Sequence, residues 1–361
     1  TGPGGSMNIG IFLPNWLGDL VMATPALRAI RRHFGRESRL VGIIRPNLQK
    51  LLAGTDWLDE QWPFDPRAAD RACRQWALVR QMRRERFDMA LLFPNSLRPA
   101  VLACLAGVKE RVGYVCYGRG PLLTGKVYPR RAGGRVADGP LVDYYLALAE
   151  AIGCPPESPR LELAATDLER RRADEVWRAL GLRTDGRVIA LKSSGAYGSA
   201  KLWPDEHFGR LARRVAGETD HDVLVICGPQ ERHVARHIAE LADHPRVFSL
   251  ADEPLGLVTS KGCLERIRLI VSTDSGPRHI AAAFGKPVVT LFGPTTPLCV
   301  KNPTVHAVDL QLDLDCIGCG KRVCPLGHHD CMQQLSVDLV SAEVNKLLEE
   351  RQPLGAPSGS T

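Results

Sequence analysis

Residues 272–276, Ser-Thr-Asp-Ser-Gly, lie between an apolar run of buried-strand length (Leu269–Val271) and a helical run that begins at Pro277 and stops at Gly285. A helix start of small polar residues leaves backbone N–H groups free, and the helix dipole adds partial positive charge, which suits a phosphate. Asp274 and Ser275 would line such a site, and Gly276 would let the main chain come close. His279 follows one turn later on the face of Ser275. The plainer reading is a helix capped by Asp274 or Ser275 that binds nothing.

Four more stretches carry comparable signals. Asp19 follows Gly18 just beyond the first strand, where a carboxylate can serve either as a general base or as a helix N-cap. The loop Ser193–Pro204 includes Ser194 and Gly195 and ends near Lys201. Backbone N–H groups with one ammonium make a diphosphate clamp, although Lys201 also reads as a surface lysine, and the direction of Lys192 is open. The spacing is not that of a P-loop. Gly228 and Glu231 follow another strand. Glu231 can bind a ribose hydroxyl pair or act as an ordinary helix N-terminal acid. Finally, Cys316, Cys319, Cys324 and Cys331 form a thiol cluster that suits structural zinc. The spacing does not match a ferredoxin, and free thiols or disulfides are the alternatives.

The elements that must hold these residues alternate between strand and helix. Strands are expected at Asn8–Leu13, Leu40–Ile44, Met89–Phe93 and Lys109–Gly113, the last as an edge strand. Helices are expected at Asp19–Phe34, Arg67–Arg86, Asn95–Ala106 and Asp138–Ile152, with Tyr114–Gly139 as a long loop. A proline-rich linker, Cys154–Leu163, precedes a second series with strands at Val188–Leu191, Val223–Cys227, Val247–Leu250, Leu269–Val271 and Val288–Phe292. Alternation of this kind predicts an α/β chain with parallel sheets, and two such halves predict a ligand cleft between them. The expected organisation is an expression-tag remnant at 1–6 and a first domain at 7–160. A second domain follows at 161–336, then a C-terminal helix at 337–351 and a disordered tail at 352–361.

Of the 361 residues, 44% are hydrophobic and 24% charged, an ordinary globular composition. No apolar run reaches membrane-spanning length, no signal peptide is apparent, and eleven cysteines without one suggest a reducing cytoplasm. The net charge of +7 is concentrated early: residues 1–165 hold 23 Lys+Arg against 15 Asp+Glu. A basic half suits an acidic partner or is simply a solvated arginine-rich surface.

Taken together, Asn15–Arg31, Gly195–Pro204, Ser272–Pro297 and Cys316–Met332 resemble the glycosyltransferase family 9 heptosyltransferases over nearly the whole chain. The resemblance implies a GT-B fold, with two Rossmann-like domains facing a cleft, the acceptor in the first and the donor in the second. It implies an inverting, metal-independent transfer of heptose from ADP-L-glycero-β-D-manno-heptose to the inner core of lipopolysaccharide, with no catalytic cofactor. By this resemblance Asp19 is the base, Lys201 contacts the donor phosphates, and Asp274, Ser275, Gly276 and His279 bind the donor. Arg98, Arg119 and Lys126, with Lys109, Arg111, Arg130 and Arg131, would face a phosphorylated Kdo-lipid A or heptosylated core acceptor. The enzyme would then be cytoplasmic and peripheral on the inner face of the inner membrane. Pro277-Arg278 stands where the family usually has Leu-Met, and Ser193-Ser194 departs as well.

Two rival readings differ in kind from a heptosyltransferase, and a third is a GT-B enzyme using another nucleotide sugar. A nicotinamide oxidoreductase would need a G-x-G-x-x-G after the first strand, which is absent. A nucleic-acid-binding protein would draw on the basic half, but only 6% of residues are aromatic and no recognition motif is present, so no nucleic acid is expected.

Overall fold

The computed structural model describes residues 6–350, apart from 133–134, 137–138, 194 and 196. Most of the expected tag remnant, the tail at 352–361 and Ser194 therefore lie outside the described residues. The first sheet contains β1 (Asn8–Phe12), β2 (Arg39–Ile44), β3 (Glu60–Pro63), β4 (Met89–Leu92), β5 (Glu110–Tyr114) and β6 (Gly125–Val127). They lie in the order β3-β2-β1-β4-β5-β6, and every pairing is parallel. A short antiparallel pair, β7 (Arg131–Ala132) and β8 (Arg135–Val136), follows.

The second sheet repeats the pattern. Its strands are β9 (Val188–Lys192), β10 (Asp222–Val225), β11 (Val247–Ser249), β12 (Leu269–Thr273), β13 (Val288–Phe292) and β14 (Ala307–Gln311). Their order is β11-β10-β9-β12-β13-β14, again all parallel. In each sheet the winding reverses beside the first strand, between β1 and β4 and between β9 and β12. Ligands of open parallel sheets bind outside the carboxyl ends of the strands at such a switch point. Asp19 follows β1, Lys201 follows β9 and Asp274 follows β12, so all three stem from switch-point strands.

The helices of the first half are α1 (Leu17–Met22), α2 (Thr24–Phe34), α3 (Gln75–Glu85), α4 (Leu97–Leu105) and α5 (Leu141–Glu150). Those of the second half are α6 (Asp167–Leu180), α7 (Asp205–Glu218), α8 (Arg232–Ala242), α9 (Leu257–Arg266), α10 (Gly276–Ala283), α11 (Asp330–Gln333) and α12 (Val337–Glu349). The helix expected at Asp19–Phe34 is two helices. Pro25 has no N–H to give to Val21, and the Thr24 hydroxyl donates to that carbonyl at 2.7 Å instead. The helix expected from Arg67 starts only at Gln75, because Asp70 turns the chain by accepting the Ala72 N–H at 2.9 Å. Nor is β5 an edge strand. Part of the expected long loop pairs with it as β6, and the short strands β3 and β14 lacked an apolar run to mark them.

The linker is packed against the first half. The buried Arg28 of α2 donates to the carbonyls of Ser158 and Arg160 at 2.8 and 3.0 Å and pairs with Glu162 at 2.9 Å. Lys261 of α9, fully buried, donates to Ala53 O of the first half at 2.8 Å and meets Glu169 of α6 at 3.1 Å. Glu169 also completes a capping box with Thr166.

Candidate active site between the two sheets

Asp19 is the third residue of α1 and not its cap. Trp16 occupies the cap position, and no side chain bonds to the helix start. Freed from capping, the carboxylate is largely sunk into the gap between the halves. Burial and then the charge of Asp274 raise its pKa to about 6, while Lys201 pulls the other way. Its neighbours in charge thus come from the second sheet.

The two halves touch at this point through glycine. A Cβ on Gly18 would lie 2.9 Å from Cδ2 of His279, and one on Gly276 would lie 2.6 Å from Cδ2 of Leu17. Both lack of side chain and helix starts are therefore needed for α1 and α10 to meet end to end. His279 is buried there, and desolvation followed by the nearby Arg278 lowers its pKa to about 3, so it is a neutral imidazole at neutral pH.

At α10 no side chain bonds to the helix start. Ser275 stands at the cap position without a side-chain bond to the main chain, and its hydroxyl lies 2.9 Å from that of Ser272. Asp274 turns instead to Lys201, whose Nζ lies 2.5 Å from Oδ2 and 3.1 Å from the Asp274 carbonyl. Thr295 donates to the same carboxylate at 2.9 Å. Burial alone would lift the Asp274 pKa, but Lys201 above all holds it below the usual carboxylate value. Gly195 sits against this turn, since a Cβ there would be 3.3 Å from Cβ of Ser275.

The cysteine loop braces the loop that carries Lys201. Ala200 N–H donates to Arg322 O at 3.0 Å, the Tyr197 hydroxyl donates to Gly320 O at 2.5 Å, and His329 Nε2 lies 2.7 Å from Ala200 O. At Gly198, φ 152°, a Cβ would run into the main chain of Arg322. The Lys201 ammonium lies 4.4 Å from the centre of the Tyr197 ring. Burial first, then Cys316, Cys324 and Cys319, raise the Cys331 thiol. Among the described residues no three or more of His, Cys, Asp and Glu converge so as to hold a metal ion. Hydrogen bonds to the Lys201 loop hold this segment in place.

Residues 75–329 match the family described as glycosyltransferase family 9 (heptosyltransferase). The chain belongs to glycosyltransferase family 9. It is 27% identical over 358 residues to lipooligosaccharide heptosyltransferase 2 of Haemophilus ducreyi, covering 95% of this chain and 99% of that one. It is 25% identical over 352 residues to lipopolysaccharide heptosyltransferase 2 of Escherichia coli K12, with coverage of 95% and 99%. The solved structure of E. coli ADP-heptose lps heptosyltransferase II superposes with a TM-score of 0.75 at 22% identity, covering 95% of this chain and 98% of that chain. The two-sheet architecture is accordingly the GT-B fold, and the protein is a glycosyltransferase.

Other expected site residues of this family 9 chain meet different fates. Lys192 points to Glu231, whose Oε2 also accepts the Gly228 N–H at 2.7 Å, so Glu231 is held in place by the main chain and a buried lysine. Arg98 and Lys126 are exposed, as are Lys109 and Arg130. Arg119 is not: it is completely buried and donates to the carbonyl of Tyr114 at 2.8 Å, to that of Pro94, and to the Asn95 side chain at 3.1 Å. It ties β4 to β5 and presents no charge to an acceptor. Arg111 is likewise bonded to Leu122 O at 2.6 Å. The side chain of Arg131 lies outside the described residues. Thr295 and Tyr197 escaped sequence reasoning. Tyr197 had one signal, an aromatic ring four residues before Lys201 in a glycine loop, whereas Thr295 had none.

Proposed function

We propose that this chain transfers heptose from ADP-L-glycero-β-D-manno-heptose to the inner core of lipopolysaccharide, with inversion. The observation that carries the reading is the meeting of Asp19 with the Lys201–Asp274 pair and the open start of α10 across one cleft. Inverting transfer needs a base on the acceptor hydroxyl and positive charge on the departing diphosphate, and these two groups supply one each.

In this reading Asp19 takes the proton of the acceptor hydroxyl as its oxygen bonds to C1 of the heptose. The bond from C1 to the phosphate oxygen breaks, and ADP leaves with the electron pair. Lys201 and the N–H groups of Ser275 and Gly276 hold the charge that builds on the diphosphate, the part a divalent ion plays in other transferases. Neutral His279 lines the same wall. Glu231 and Gly228 would receive the ribose. Arg98 and Lys126 would meet the phosphorylated Kdo-lipid A or heptosylated acceptor, with the enzyme peripheral on the inner face of the inner membrane. Relatives spanning nearly the whole chain are named for lipopolysaccharide or lipooligosaccharide heptosyltransfer, which supports this acceptor class.

Calorimetric titration with ADP, UDP and GDP tests the donor, and transfer assays with and without EDTA test the metal. Tighter binding of ADP and an EDTA-insensitive rate are expected. Tighter binding of UDP would favour the alternative, a GT-B enzyme with another nucleotide sugar. Arg278 is the residue that gives that alternative substance. It is buried near the donor turn, bonds Thr290 Oγ1 at 2.7 Å and leaves Nη1 without a partner among the described residues.

A further inference from the structure

The outer face of α3 and α4 carries a groove of about 610 Å³ that shares Arg98 with the proposed acceptor residues. Its walls are helical stripes. On α4, Leu97, Val101 and Leu105 recur at i, i+4 and i+8 and point away from the sheet, while Pro99, Ala100 and Ala103 point into it. On α3, Trp76 forms the facing wall, and Arg80 and Arg83 follow it at i+4 and i+7. Arg83 Nε donates to Leu105 O at 2.8 Å, so the arginine edge is fixed beside the apolar wall. Trp76 is 59% exposed, Leu97 46% and Leu105 39%. Large apolar side chains grouped in one open groove mark an interaction surface, whereas scattered ones do not.

We propose that this face docks on an anionic lipid bilayer, with Trp76, Leu97 and Leu105 entering the interface and the neighbouring arginines meeting lipid phosphates. Charge selects this occupant. The single carboxylate of α3, Glu85, is paired with Arg39 and Arg84, and α4 has none. The groove therefore presents an aromatic ring, aliphatic groups and arginine without opposing acid, the composition of an interfacial membrane-binding surface. Position supports it too. Ser96 and Arg98 line both this groove and a smaller cleft with Phe12, Asn15 and Arg45 at the carboxyl ends of β1 and β2. Asp19 begins from that same end of the sheet. A bilayer held against α3 and α4 would deliver the head group of a lipid-linked acceptor to the base without removing its acyl chains from the membrane. The purpose of the docking rests on the proposed acceptor, but the docking itself is measurable without it.

The test is co-sedimentation of the full chain with phosphatidylethanolamine vesicles containing about 30% phosphatidylglycerol, against vesicles of phosphatidylcholine alone. Binding to the anionic vesicles only is expected. The triple variant Trp76→Ser/Leu97→Ser/Leu105→Ser should lower the bound fraction about tenfold, and Arg80→Glu should lower it and weaken its salt dependence. Unchanged melting temperature and ADP affinity would show that the variants fold and keep the donor site. A wild-type chain that ignores anionic vesicles, or a triple variant that binds them like wild type, overturns the proposal. So does a dimer in solution that the triple variant dissociates while vesicle binding is absent. ADP titration is untouched by any of these results, so a failed donor assignment and a failed membrane surface are told apart.

Discussion

Lys201 Nζ and Asp274 Oδ2 lie 2.5 Å apart, joining the loop after β9 to the turn after β12. Both side chains are mostly withdrawn from water, and Thr295 and the Asp274 carbonyl complete the cluster. The lysine is thus already oriented, and the proposed donor diphosphate would find little rotamer freedom left to lose.

The first prediction concerns that lysine. Lys201→Ala should weaken ADP binding by about 1.5–3 kcal/mol, the range for a charge-assisted contact, and leave adenosine affinity unchanged. Calorimetry with the two ligands checks it. Equal losses for both would mean that Lys201 only steadies Asp274.

A second prediction concerns Asp19. Asp19→Asn should lower transfer by about 10²–10⁴ and leave ADP affinity within about twofold. It should also stabilise the fold at pH 8. The native carboxyl has its pKa raised from 3.8 to about 6, so its folded form holds the proton more tightly, and ionisation opposes folding as pH rises through that window. Removing the charge should recover up to about 3 kcal/mol above pH 6. Thermal melts at pH 4 and pH 8 should therefore differ between wild type and variant only at the higher pH.

As the proposed base, the same carboxyl should set the acid limb of the rate. A base works in its deprotonated form, so kcat/KM should be flat above about pH 6 and fall about tenfold per pH unit below it. His279, lowered to about 3 by burial, should add no limb near neutrality. A pH–rate profile whose acid limb persists unchanged in Asp19→Glu and Asp19→Asn would assign the limb elsewhere.

Gly18 makes a geometric demand. Its alanine variant would set a methyl group 2.9 Å from His279, pushing α1 and α10 apart. Transfer should fall by at least about tenfold, because small misplacements across a reacting pair are costly. The melting temperature should hardly move. An additional His279→Ala change should restore part of the rate if the clash is the cause.

Lys261 supplies the last prediction. It and Glu169 are both fully buried and bonded to Ala53 and Thr166. Lys261→Met strands the carboxylate and should cost about 3–5 kcal/mol, read from denaturant unfolding. Adding Glu169→Gln should recover much of the loss, because Gln keeps the capping box at this position.

The strand-by-strand alternation of both halves was legible because buried parallel strands are short, continuous β-branched runs that punctuate helices. Residues 272–279 were legible for the same reason, as strand, turn and helix are adjacent in the chain. Asp19 stood out in the sequence, but its surroundings did not: whether it caps a helix or faces a cleft depends on Asp274 and Lys201, which are remote in sequence. Arg119 shows the limit of composition. An arginine-rich loop reads the same whether a guanidinium is solvated or buried among carbonyls, and only the path of the chain after β5 decides. Four cysteines likewise announce chemistry by spacing, while the path of the loop that carries them is fixed by contacts with the Lys201 loop. Local order along the chain thus determined the elements and the types of residue at their ends. The pairing of Lys201 with Asp274, the neutral state of His279 and the raised pKa of Asp19 were decided only when folding brought distant charges together and took them out of water.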